Sequence, residues 1–179
     1  MLERDKAGLL VVDVQGKLAR SVADSELMIS QLEALIKGVQ VLGLPVIQVE
    51  QLPDKLGRTV PEVQSLLPED TAFEKSSFSA LRNELVEQQL HATGRTQWLI
   101  CGIEAHICVY QSAVDLLAYG SEVHIVTDAV SARNPQHKTL ALNKLQTAGA
   151  HLTCVEMALF ELLERAGTDE FKSILALIK

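Results

Sequence analysis

The sequence predicts an α/β fold: a doubly wound, mostly parallel sheet with helices on both faces. Short aliphatic runs rich in β-branched residues alternate with segments of about 10–15 residues whose apolar positions recur at helical spacing. Glycines punctuate the ends of most helical segments. No repeat, linker or shift in composition interrupts the alternation, so one domain over residues 1–179 is expected.

The first run, residues 8–14, is almost wholly aliphatic and reads as a strand buried on both faces. Residues 25–42 carry Leu27, Met28, Leu32, Leu35, Ile36 and Val39 at helical spacing, and Gly43 and Pro45 stop that helix. Residues 45–49 read as the second strand. Residues 51–72 hold Pro53, Gly57, Pro61 and Pro68 and form the longest irregular connection, with one helical turn near 61–67. A short third strand is expected at 72–75, then a helix at 81–91 opened by a Ser-rich cap region. Residues 97–103 read as a strand, 107–119 as a helix stopped by Gly120, 122–127 as a strand and 136–148 as a helix ending at Gly149. The last strand is expected at 151–155, followed by one or two helices over 156–178, broken at Gly167.

Composition narrows the function. The chain has 179 residues, 47% hydrophobic and 22% charged, which suits a globular core. No stretch approaches the ~20 apolar residues that span a bilayer, and the N-terminal run is short and contains Asp13, unlike a signal peptide. A cytoplasmic protein is expected. Sixteen Lys and Arg against 23 Asp and Glu give a net charge of −7, which repels phosphate backbones, and aromatics are only 4%, too few for base-stacking platforms. Nucleic acid and membrane are therefore not expected partners. The three cysteines, Cys101, Cys108 and Cys154, form no CxxC pair, so neither a zinc knuckle nor a dithiol is indicated. His91, His124, His137 and His151 are scattered and suggest no ligand cluster.

In open parallel sheets ligands bind beyond the carboxyl ends of the strands. Asp13 and Gln15 follow the first strand, Gln48 and Glu50 end the second, Lys75 ends the third, and Asp128 ends the fifth. Cys108 lies in the first turn of the helix after the fourth. A thiol at a helix N-terminus meets the positive end of the macrodipole, which favours the thiolate. Asp13 can take the thiol proton and Lys75 can supply positive charge. Cys101 and Cys154 read as core residues, His106 as a loop or surface residue, and Asp128 as a loop anchor.

The segments LLVVDVQ, FEKSSFSAL and GIEAHICVYQSAVDLLAYGSEVHIVTDAVSAR resemble the isochorismatase-like cysteine hydrolases, in order and over residues 8–164. The resemblance implies a three-layer α/β/α, Rossmann-like fold with a six-stranded sheet. It puts the catalytic triad on Asp13, Lys75 and Cys108. It also implies a cis peptide at Ile103–Glu104 and an oxyanion hole from the backbone N–H groups of Glu104 and Cys108. Gln15 and Gln48 are expected to contact substrate, and homo-oligomerisation is expected from the family.

The nicotinamidases of this superfamily carry a metal site with Asp and two His after the second strand. Here that region reads QVEQLPDKLGRTVPEV, without His, so neither a metal nor another cofactor is expected and the chain most resembles a metal-free branch. Enzymes acting on isochorismate need not carry the cysteine. Its presence therefore points to a small amide or carbamoyl substrate, with vinyl-ether hydrolysis or a redox-sensing role for Cys108 as alternatives. A dinucleotide-binding reading fails because DVQGKLARS, not a Gly-x-Gly-x-x-Gly turn, follows the first strand.

Overall fold

The computed structural model describes residues 1–69 and 71–178. Six strands form one sheet in the order β3-β2-β1-β4-β5-β6, with every neighbouring pair parallel. They are β1 Ala7–Val12, β2 Val46–Gln51, β3 Phe73–Lys75, β4 Gln97–Ile103, β5 Glu122–Ser131 and β6 His151–Thr153. The chain winds outward from β1 to β3, then crosses back to β4 beside β1 and winds outward the other way. The order reverses between β1 and β4, the switch point at which such sheets open a crevice.

Strand alternation sends successive side chains to opposite faces, and two cores result. Leu9, Val11, Leu99, Cys101 and Ile103 face one side. There they meet α2 (Ser25–Val41), α8 (Val155–Leu163) and α9 (Asp169–Leu177). Leu10, Val12, Trp98, Ile100 and Ile125 face the other, against α5 (Glu84–Ala92), α6 (Tyr110–Ala118) and α7 (Pro135–Thr147). The α/β/α layering follows from strands apolar on both faces. In α2 the apolar stripe buries Met28, Leu32, Leu35, Ile36 and Val39. Gly38 lets Leu159 of α8 pack against it, since a Cβ there would stand 2.5 Å from a Leu159 methyl. Among the described residues no helix is long and apolar enough to cross a membrane.

Several boundaries differ from those expected. Two short helices, α1 (Gly16–Ser21) and α3 (Pro53–Leu56), have too few turns to show an apolar period, and α4 spans only Pro61–Gln64. Helix α5 starts at Glu84 because Asn83 caps it, its side chain accepting from the N–H groups of Leu85 and Val86. The Ser-rich segment before it leads into a 3₁₀ turn at Ala80–Arg82. Strand β5 continues past residue 127, because its pairing with β4 shifts register between Ile100 and Gly102. The last strand stops at Thr153, where Asp128 accepts from the N–H of Val155 and helps open α8.

Candidate active site

Asp13 follows β1 with φ +51, a left-handed backbone that aspartate tolerates better than most residues. Its side chain is buried and its Oδ2 lies 2.7 Å from Lys75 Nζ. Lys75 ends the edge strand β3, yet its side chain is fully buried. Its ammonium donates to Asp13 Oδ2 and to Gln51 Oε1, both at 2.7 Å, and to the carbonyls of Ser77 and Phe78 at 3.2 Å. A buried charge needs such partners, since desolvation otherwise costs several kcal/mol. Here the segment following β3 folds back to supply two of them.

Cys108 sits in a single π-turn, Ala105–Val109, that leads into α6. Val109 N–H reaches back to the carbonyl of Glu104, and such a turn widens the helix where the thiol is carried. The peptide Ile103–Glu104 is cis. Before it, Gly102 adopts φ +107, and a Cβ there would stand 2.0 Å from the carbonyl oxygen of Val12. Only glycine lets β4 come this close to β1 beside the site. The Glu104 carboxylate accepts from the backbone N–H and guanidinium of Arg133, which fixes the segment bearing the cis peptide. Burial pushes the Glu104 carboxyl up, but Arg133 outweighs it and holds the pKa below the usual range.

The three side chains meet at the carboxyl ends of β1, β3 and β4. Asp13 Oδ1 is buried and has no hydrogen-bond partner among the described residues. The Cys108 thiol lies close enough to this carboxyl for each to alter the other's ionisation. Burial raises the Asp13 pKa above its ordinary value despite the opposing pull of Lys75. The thiol does not show the depressed pKa expected of a helix N-terminus. Burial first, and then the charge of Asp13, push it up to about 12, with Lys75 pulling the other way. Burial and the Asp13 charge thus favour the protonated thiol over the thiolate. Cys101, wholly buried in β4, is pushed up by burial alone.

The placement of two expected substrate contacts is different. Gln15 spends its amide on the chain itself: Oε1 accepts from Gln51 N–H at 2.6 Å, and Nε2 donates to the carbonyls of Gln51 and Gly57. Gln48 lies between Ile47 and Val49, which pack in the same core as Cys108, so alternation turns it to the opposite face of the sheet. There it donates to Thr59 Oγ1 at 2.6 Å. Gln48 therefore faces away from the thiol. Glu50 accepts from Thr59 and pairs with Arg58, bracing the loop after β2. The residue that sequence reasoning missed is Gln51. It pairs in register with Lys75, its Oε1 accepts from the ammonium, and its Nε2 donates to the carbonyl of Ser76. Its signal was the Gln-x-x-Gln spacing of Gln48 and Gln51, which places the two on opposite faces of one strand.

The histidines are less scattered than expected. His106 lies tilted against His137 at 4.8 Å between ring centroids, and His124 stacks on His151 at the same distance.

An isochorismatase domain matches residues 7–157. The secreted isochorismatase effector Isc1 of Phytophthora sojae (strain P6497) is 38% identical over 176 residues, 96% of this chain and 83% of its own length. Among solved structures, MAR1 ribonuclease from Caenorhabditis elegans superposes with a TM-score of 0.92 at 34% identity, over 99% of this chain and 91% of that one. Two YcaC proteins superpose equally well, at TM-scores of 0.92. That of Pseudomonas aeruginosa, solved with hexane-2,5-diol and covalent acrylamide, is 27% identical over 98% of this chain and 90% of its own. That of Escherichia coli, described as an octameric hydrolase of unknown specificity, is 26% identical over 98% and 88%. By the span of the domain and the identity to these relatives, the chain belongs to the isochorismatase family, and its role is hydrolytic.

Proposed function

We propose that the protein is a cysteine-dependent hydrolase of a small molecule, cleaving a C–N bond in an amide or carbamoyl group. The observation that carries this reading is the buried Lys75–Asp13 pair at 2.7 Å, whose carboxyl keeps Oδ1 without a partner among the described residues and lies close enough to the Cys108 thiol to couple with it. As Cys108 Sγ attacks the carbonyl carbon, its proton passes to Asp13, so the thiolate never stands alone in the buried site. Negative charge develops on the carbonyl oxygen, and the backbone N–H groups of Glu104 and Cys108 receive it. The C–N bond then breaks, the amine departs with the proton from Asp13, and a thioester remains. Water adds to the thioester with Asp13 as base, releasing the acid and restoring the thiol. Lys75 orients Asp13 and offsets its charge throughout.

The covalent acrylamide in the P. aeruginosa relative is in keeping with a reactive nucleophile in this family. Redox sensing by Cys108 is the weaker reading, because an oxidisable thiol has no need of the buried Lys75–Asp13 pair beside it. A ribonuclease activity, suggested by the C. elegans relative, fits poorly with a net charge of −7. Access for a small substrate is also shaped by assembly: Leu52 and Phe78, at the segments that carry Gln51 and hold Lys75, are exposed apolar side chains suited to cover by a second subunit.

The test is turnover of a panel of small amides, carbamoyl compounds and isochorismate by the wild type and Cys108→Ala. The wild type is expected to hydrolyse an amide or carbamoyl member, and Cys108→Ala to lose the activity. Equal turnover by the variant overturns the covalent mechanism, and turnover of isochorismate alone overturns the C–N assignment.

A further inference from the structure

At the opposite edge of the sheet, where β5 and β6 begin, three donors converge. Glu122 and His124 are two apart on β5 and share a face, and His124 pairs in register with His151 of β6, so all three stand on the same side. Glu122 Oε1 lies 2.8 Å from His124 Nε2 and 3.7 Å from His151 Nε2. The three donor atoms lie within 4.8 Å of one another. A tetrahedral Zn²⁺ with bonds of about 2.0–2.1 Å needs its ligand atoms roughly 3.3 Å apart. The two carboxylate–imidazole separations bracket that value. A rotation of His151, whose side chain is 58% exposed, would bring the imidazole nitrogens to that separation.

The carboxylate is oriented for this task. Glu122 Oε2 accepts from Gln97 Nε2 at 3.0 Å, which leaves Oε1 turned to both imidazoles. Gln97 is itself fixed, accepting from Glu3 N–H at 2.7 Å and donating to the carbonyl of Met1. A buried amide that holds one carboxylate oxygen while the other faces two histidines is the outer support that metal sites use. The His124 side chain is buried, so the open approach is past His151. Two imidazoles and one carboxylate favour a borderline cation over Mg²⁺ or Ca²⁺, which prefer oxygen donors.

We propose that Glu122, His124 and His151 bind a Zn²⁺ ion, with water in the fourth position, and that the ion clips the edge strand β6 to β5. Strand β6 has three residues, so one cross-strand bond to a metal adds appreciably to its anchorage. The site is remote from Cys108 and stands or falls independently of the hydrolase reading.

The test uses untagged full-length protein stripped by chelator, titrated with Zn²⁺ against a chromophoric competitor, with melting followed in parallel. Wild type is expected to bind one ion per chain and to melt at a higher temperature when loaded. His151→Ala, at an exposed position, is expected to bind at least ~10-fold more weakly and to lose the thermal gain. Glu122→Gln is expected to weaken binding similarly, and His137→Ala, in the other histidine pair, to leave it unchanged. No Zn²⁺ binding by the wild type, equal binding by His151→Ala, or loss of binding in His137→Ala each overturns the proposal. Binding without any thermal gain overturns the clip.

Discussion

At Cys108 two neighbours pull the thiol in opposite directions. The Asp13 charge adds to burial in raising its pKa, and Lys75 lowers it. The signs yield distinct outcomes for two variants. Asp13→Asn removes the raising charge, so the pH midpoint for alkylation of Cys108 by iodoacetamide is expected to fall. Hydrolysis is nevertheless expected to drop by about 10²–10⁴-fold, because the proton relay is gone. Lys75→Met removes the lowering charge, so the midpoint is expected to rise. It also leaves Asp13 buried without its partner, at a cost of about 3–5 kcal/mol in stability. Peptide mass spectrometry resolves the labelling of each cysteine, and midpoints that move the same way in both variants would overturn this electrostatic account. In the wild type, activity is expected to fail on the acid side as pH drops through the Asp13 pKa, which burial has raised above its usual range, since the protonated acid accepts nothing.

Among the elements, the close pairing of β1 and β4 is the tightest constraint. Gly102 has no room for a Cβ, which would meet the Val12 carbonyl at 2.0 Å, and its φ of +107 is one that alanine resists. Gly102→Ala is therefore expected to destabilise the protein by more than about 2 kcal/mol, read as a fall in the denaturant midpoint, and to reduce turnover by displacing the Glu104 segment. Unchanged stability would mean that β4 can shift without cost. The periodicity of 25–42 gave α2 almost to the residue, because its buried stripe is long. The start of α5 was misjudged because the cap is Asn83 rather than a serine of the preceding cluster. The register shift that lengthens β5 left no mark in the sequence, since pairing with β4 is a property of two strands.

For the whole molecule, the sheet order puts Asp13, Lys75 and Cys108 at one edge and the histidine–glutamate cluster at the other. The exposed apolar residues Leu52 and Phe78 border the first edge. Light scattering is expected to give a mass that is a multiple of 19.6 kDa, as in the octameric relative, and Phe78→Asp is expected to shift it downward. A monomeric mass for the wild type at micromolar concentration would mean that the site is complete within one chain.

The kinds and order of the elements were legible in the sequence, because continuous aliphatic runs and a 3.6-residue apolar period are written along the chain. The sequence also set Asp13, Lys75 and Cys108 beyond strand ends that a parallel sheet brings to one edge. Tertiary structure decided what those groups experience. Burial and the Asp13 charge raise the thiol pKa, against the lowering expected from helix position alone. Gln51 joins Asp13 as a partner of Lys75 because β2 and β3 pair in that register. Gln48 faces away because its strand neighbours fill the core on the side of the thiol. Glu122 and His124 announced a shared face through their spacing of two, but His151 joins them only through the alignment of β6 on β5. Registers between strands far apart in sequence are set by packing and hydrogen bonding across the sheet, and no local pattern encodes them.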